Sequence, residues 1–500
     1  MRSEPASLNS LLKMTSSVHK SQEPLAAESG VSAERAKIDS AASRPVMAFF
    51  ATAVAWLIVA TVLGFIASVK LVRPTFLADL SFFTYGRIVP AFHASLVYGW
   101  ASLAGMGVGV WLMSRLCRVQ VRYPGSLVFG ICIWNFGLLL GVISILAGKS
   151  TGIEGMEIPR GIAAIMLLGY VLIGIWPGLL YRARRDVPAY ISVWYLAAAF
   201  FWFPLLFGFS YFFVSMPEVK GVMTAVVASW FNQGILLLWL TALGLAAAYY
   251  LIPKVINKPI YSYNIASLGF WAFLFFGGLT SMVRLSGGPV PAWLVSVSVA
   301  ASILMLVPVA TVLANMVSTL RGKAVMVAYS PTVRFTAFGV AGFGLASLLS
   351  FLSAFRGFDK VVHFTMFGPG CQLLLVYSFF SMVMFGAIYY IVPRLVGREW
   401  GSVGLIQAHF WGSAYAGSVA ILLLVFSGVA SGLALSDSGA SFWQASQIGQ
   451  LYYVGHSVAM FFLVLTHLIF AFHFGLMLFR LGRPAGRPAV FGVIEQEKGI

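Results

Sequence analysis

Along the chain, windows of about twenty mainly apolar residues recur twelve times. They begin near Val46, Ile88, Gly125, Gly161, Tyr190, Met223, Asn264, Val290, Arg334, Gly370, Leu405 and Leu451. A helix of about 20 residues covers the roughly 30 Å of a bilayer's hydrocarbon, so each window predicts a membrane-spanning helix. The windows are continuously apolar and do not alternate as the strands of a membrane barrel would. A helix also satisfies its own backbone hydrogen bonds inside lipid. Residues 1–44 carry no such window. They are rich in Ser, Ala, Glu and Lys, lack the apolar core of a secretory signal, and predict a disordered tail. The expected organisation is a cytoplasmic tail at 1–44, an all-α polytopic membrane domain at 45–482, and a second cytoplasmic tail at 483–500.

Composition supports the same class: 60% of residues are hydrophobic and 9% charged, which does not suit a soluble surface. The net charge of +17 raises the question of nucleic acid. The cations lie singly in short loops and not in an aromatic-interleaved patch, so membrane topology explains them better and no nucleic-acid partner is expected. With the N-terminus inside, the inner loops hold thirteen Lys and Arg and the outer loops nine, the latter offset by acids such as Glu154, Glu218 and Asp359. Both termini are therefore expected on the cytoplasmic side of a bacterial-type inner membrane. Cys117, Cys132 and Cys371 have no paired spacing, so no disulfide or CxxC metal site is predicted. A CxxCH or GxGxxG motif is likewise missing, so any electron would come from a partner subunit.

One pattern returns within the chain. GLAAAYYLIPKV (Gly244 to Val255) is echoed about 140 residues later by MFGAIYYIVPRL (Met384 to Leu395). Each ends an apolar helix with Tyr-Tyr, two aliphatics, Pro and a cation, which suits an exit from the bilayer. Together with PIYSY (Pro259 to Tyr263), HFT (His363 to Thr365) and HFW (His409 to Trp411), these segments resemble subunit I of the heme-copper oxygen reductases, most closely the cbb3-type cytochrome c oxidases. The resemblance runs from about Tyr85 to Trp411. It implies a twelve-helix bundle with both ends inside, two hemes, one copper, and a place in an aerobic respiratory assembly.

The resemblance also implies six ligand histidines, because neutral imidazoles from several helices must hold two irons and one copper. At the matching positions this sequence differs. Gln233 stands at the copper histidine of the sixth span, and Val283 and Arg284 at the His-His pair of the seventh. Gly277 stands where the family carries its tyrosine, and Cys371 and Leu373 replace the two heme histidines of the tenth span. On the second span the low-spin position falls on Phe92, and His93 lies one residue late, a turn of about 100° on a helix. An amide is a poor copper ligand, valine cannot ligate, and a guanidinium stays protonated.

Copper is therefore not expected, no catalytic or metal-binding residue is assigned, and no cofactor is expected apart from a heme b for which His93 is the candidate ligand. His363 and His409 are expected to hydrogen-bond near span ends. His456 and His467, with His473 on the same span, are too far apart to share one metal, and a packing, relay or ligand role stays open for them. Arg284 either snorkels outward or points into the emptied copper cavity with a partner. The expected function is that of a catalytically degenerate subunit I, structural or supporting partners such as a cytochrome c-type subunit or a competent paralogue. The rivals are an active terminal oxidase with unusual ligation and a transporter or sensor that uses the vacated cavity.

Overall fold

The structure is a computed structural model that describes residues 8–185 and 188–484, with side chains from Ala33 onward. Among the described residues, twelve helices are long and apolar enough to cross a membrane: Ala33–Val72, Tyr85–Cys117, Pro124–Leu146, Arg160–Arg182, Ile191–Ser215, Val222–Ile256, Tyr263–Leu285, Ala292–Leu320, Pro331–Ser353, Phe367–Val396, Val403–Ser436 and Phe442–Leu478. Each overlaps one of the twelve apolar windows, so the all-α, twelve-span expectation holds.

The expected boundary at residue 44 does not. The first helix runs without a break from Leu8 to Val72, and its residues 33–44 pack on the bundle. Ile38 and Ala42 are buried, and Asp39 accepts a hydrogen bond from Trp111 at 3.1 Å and pairs with Arg115 at 3.3 Å. The segment is polar in composition, yet it turns its small and apolar residues to one face. Residues 1–7 and 485–500, parts of the two expected tails, lie outside the described residues; Arg483–Pro484 pairs antiparallel with Arg398–Glu399.

Three spans form the centre. In the second, sixth and tenth, 94%, 94% and 78% of the most apolar window is buried, against 61% or less elsewhere, and each touches the other two. All three share one internal plan: a helix, a single π-turn segment, then a second helix of fifteen or sixteen residues. The π segments are Ser95–Ala101, Ile235–Thr241 and Leu374–Ser381. At the end of each, a hydroxyl donates back five residues: Ser102 to the Val97 carbonyl, Thr241 to Leu236 and Ser381 to Val376, all at 2.8 Å. In the second span the hydroxyl is a second donor to a carbonyl that also accepts the Ser102 amide in the widened turn.

The same hydroxyls tie the spans together. Trp239 donates to Ser102 at 3.1 Å and Trp100 donates to Ser381 at 2.7 Å. The residue in the third equivalent place is Phe379, which has no N–H and instead packs so closely on Gly244 that a Cβ there would lie 2.7 Å from the ring. The second span thus belongs to the internal repeat. Gly105 to Leu116 aligns with Gly244 to Val255 and Met384 to Leu395.

Candidate functional site

A cavity of about 640 Å³ opens among the sixth to tenth spans, beneath the 147–159 loop. Four of the positions expected to be altered in the family's ligand set meet on its wall: Gln233, Val283, Arg284 and Cys371. Gly277, Leu373, Phe92 and His93 are not on that wall.

Local structure places each of them. Gln233 is one residue from the end of the helix Val222–Gly234, just before its π segment. Val283 and Arg284 do not sit on an α-helix: the chain tightens into a 3-10 turn at Thr280–Leu285. The hydroxyl of Thr280 bonds to the Gly277 carbonyl at 3.1 Å, and Ser298 bonds both the Met282 amide and the Leu279 carbonyl. That turn aims Arg284 at the mouth of the cavity, where it pairs with Glu154 at 2.8 Å. Arg284 thus lines the cavity, and its partner is Glu154 of the 147–159 loop.

The 147–159 loop is held over the mouth from several sides. Asn232 donates to the Glu154 carbonyl at 2.9 Å, and Tyr98 to the Gly155 carbonyl at 3.1 Å. Thr151 donates to the Met156 carbonyl at 2.7 Å. Glu157 accepts from the Gly155 amide at 2.8 Å. Burial raises the Glu157 carboxyl above its ordinary value, opposed by backbone hydrogen bonds that favour the charged form. On the same wall, His363 receives support from Asp359 at 3.0 Å through Nδ1, while its Nε2 is buried without a hydrogen-bond partner among the described residues. Sequence reasoning placed His363 correctly as a hydrogen-bonded histidine but not as a wall of this cavity.

On the second span, the Phe92 ring reaches the first span at Gly64, where a Cβ would lie 2.9 Å from the ring and 3.0 Å from Met460. The Phe92 ring therefore fills the gap between the first and twelfth spans. Half-buried His93 lies beside it, the two ring centroids 5.1 Å apart in tilted geometry. Leu373 is half-buried at the end of the short helix Phe367–Leu373.

Four further histidines, His409, His456, His467 and His473, are buried on the last two spans. His409 hydrogen-bonds as expected and is fully buried: Tyr389 bonds its Nδ1 at 2.9 Å and Phe470 stacks on it at 4.5 Å. The eleventh span begins at Val403, so His409 is almost two turns inside it and faces the tenth and twelfth. His467 is bonded by Thr61 at 2.7 Å and Tyr377 at 2.9 Å. His456 donates to the Ala420 carbonyl at 2.9 Å, and His473 accepts from the Ser402 amide at 3.4 Å. Each is tied to its own neighbours. Among the described residues no three His, Cys, Asp or Glu side chains are grouped as a metal would need, and the three cysteines are free.

The bundle and its central cavity define a membrane protein of the oxidase subunit I class. The family model for cytochrome c and quinol oxidase polypeptide I matches residues 44–462, and the chain belongs to that family. It is 26% identical over 398 residues to the cbb3-type cytochrome c oxidase subunit CcoN1 of Stutzerimonas stutzeri, covering 77% of this chain and 84% of that one. A cytochrome c oxidase subunit 1 homolog of Azorhizobium caulinodans is 25% identical, covering 76% and 71%. Among solved structures, a heme-copper terminal oxidase dimer superimposes with a TM-score of 0.70 at 14% identity, over 90% of this chain and 85% of the other. The cbb3-like, multi-pass expectation therefore stands.

Proposed function

We propose that this chain is a catalytically degenerate subunit I that supports a respiratory electron-transfer assembly without itself reducing oxygen. The observation that carries the reading is the cavity wall: Gln233, Val283 and Arg284 meet where the resemblance implies three imidazoles, and Arg284 is already ion-paired. These residues do not fit a copper ion. A guanidinium offers no lone pair to a metal, and a unit positive charge at 4 Å from it would be repelled by roughly 4 kcal/mol at an effective dielectric of 20, a repulsion that the Glu154 pair offsets in part. The position where the resemblance implies the high-spin heme histidine holds Cys371, beside Gln372, and offers no imidazole. For low-spin heme, Phe92 fills the gap beside Gly64 and Leu373 offers no donor, which leaves His93 as a packing histidine.

The test is a reduced-minus-oxidised spectrum with copper analysis on protein from heme- and copper-replete cells, alongside His93→Ala. We expect no stoichiometric copper and no b-type absorption in either protein. Stoichiometric copper, or a b-type band that disappears in His93→Ala, would overturn the proposal and restore the active-oxidase reading.

A second reading, a sensor or transporter that uses the cavity for a small molecule, is favoured by one observation: the Nε2 of His363 is buried on the cavity wall with no partner among the described residues. Ligand-dependent thermal shifts that vanish in His363→Phe would support it, and their absence over a metabolite panel would remove it.

A further inference from the structure

The internal threefold repeat ends in charge. Nine residues beyond the three hydroxyls of the central spans come Trp111, Tyr250 and Tyr390; thirteen beyond come Arg115, Lys254 and Arg394; sixteen beyond come Arg118, Asn257 and Gly397. All three residues of the last set close their helices with φ of 54°, 51° and 67°. The aromatic set meets at the axis: ring centroids are 5.8 Å from Trp111 to Tyr250, 6.1 Å from Trp111 to Tyr390, and 6.3 Å between the tyrosines. One turn further out, the three cations surround the same axis.

A cation at a helix C-terminus complements the helix dipole, and this accounts for one charge per span. Arg394 also bonds the Tyr390 carbonyl and stacks on that ring at 3.5 Å. The dipole does not account for what surrounds the triangle. Two cavities, of about 490 Å³ and 980 Å³, flank it and share Arg35 and Arg115 as walls. One adds Lys254 and Lys258, and the other Arg394 and Arg480. Among the described residues, the carboxylates lining them are Glu34, which is paired with Arg185 at 2.6 Å, and Asp39, which is paired with Arg115. Glu399 lies within the field of Arg394 but lines neither cavity. Among the described residues, neither Lys254 nor Arg394 forms an ion pair.

We propose that this end of the threefold axis is a phosphate-binding site, with oxyanions seated on either side of the shared Arg35 and Arg115 and drawn by Lys254 and Arg394. Arginine forks match phosphate oxygens and lysine adds point charge. The aromatic layer one turn deeper is buried and closes the axis beneath the cations, and basic pockets between helices at the end of a membrane bundle suit anionic lipid heads. The phosphates come from such a lipid or from a soluble phosphate compound. The inference does not depend on whether the chain carries heme.

The experiment compares wild type with Lys254→Gln/Arg394→Gln, which leaves the buried Asp39–Arg115 pair intact. Lys254→Arg/Arg394→Lys preserves charge, and Lys149→Gln/Lys220→Gln is the control at the opposite end. Delipidated protein that remains monodisperse is titrated with cardiolipin or phosphatidylglycerol in detergent by native mass spectrometry, and separately with inorganic pyrophosphate. The expected result is an affinity about 30-fold weaker in the double Gln variant, with the charge-preserving and control variants close to wild type. That pattern with lipid identifies a headgroup, and with pyrophosphate alone a soluble phosphate. Equal binding of both probes by wild type and the double Gln variant, or an equal loss in the control, would overturn the proposal.

Discussion

At the residue scale, the side chains that carry specificity are few and polar. Trp100 is fully buried, and its indole N–H reaches Ser381, whose own proton is committed to the Val376 carbonyl. Trp100→Phe removes this link and also leaves part of the larger indole's space unfilled, which adds a cavity cost. A hydrogen bond between membrane helices is worth about 0.6 kcal/mol on average and up to about 1.7, so the variant should lose at least about 0.6 kcal/mol in a reversible unfolding assay. No measurable loss would mean that this hydrogen bond does not hold the second and tenth spans together. Glu157 gives a pH prediction. Its pKa is raised by burial, so the folded state binds its proton more tightly than the unfolded chain does. Its contribution is therefore fully present below the ordinary carboxylate pKa and is lost as pH rises through the raised folded value. Glu157→Gln, which keeps the acceptor for the Gly155 amide, should melt higher than wild type at neutral pH and equally at acid pH. A neutral-pH melting point at or below that of wild type would contradict this.

At the scale of elements, the left-handed residues closing the central spans make the next prediction. Asn257 adopts φ of 51° at the end of Ala242–Ile256, and Gly397 does so at the matching place on Met382–Val396. Asn257→Gly should be neutral or mildly stabilising, whereas Asn257→Val should cost about 1–2 kcal/mol, read as a lowered unfolding midpoint. The elements themselves were legible in the sequence because a membrane span needs only a long apolar window, and each window lies on a span. The pair of Tyr-Tyr exits was legible too. Its third copy was not, because Val110, Trp111 and Ser114 stand where the other two have Tyr, Tyr and Pro; the cation that all three share, here Arg115, is too common at a span end to stand out. The π turns and the 3-10 turn at Thr280–Leu285 were also hidden, since neither leaves a distinctive composition. The altered ligand positions could be read one by one. That four of them share one wall with the Asp359–His363 pair required the packing of five spans. The burial of His409 was not legible for the same reason: its place near a span end is local, but Tyr389 and Phe470, which enclose it, come from other helices.

At the scale of the whole molecule, contacts fix which loops share an end, and charge proposes which end is inside. Lys258 donates to the Arg321 carbonyl at 3.0 Å, joining the loop after the sixth span to the loop after the eighth. Arg398–Glu399 pairs with Arg483–Pro484, adding the loop after the tenth span and the exit from the twelfth. Glu154 meets Asn232 and Arg284, which sets the loop after the third span beside the start of the sixth and the end of the seventh, at the opposite end. The first group carries the Arg115, Lys254 and Arg394 triangle and the larger share of loop cations. Cations favour the cytoplasmic side of a short loop, so that group should face the cytoplasm. Reporter fusions after Lys323, in the loop following the eighth span, and after Asp437, in the loop following the eleventh, separate the possibilities. Alkaline phosphatase should be inactive at Lys323 and active at Asp437, and a fluorescent reporter that folds only in the cytoplasm should give the reverse. If both sites report one side, the even spacing of the twelve spans is wrong. If both are reversed, the basic triangle faces outward, and it would meet the lipids of the outer leaflet in place of the anionic inner one.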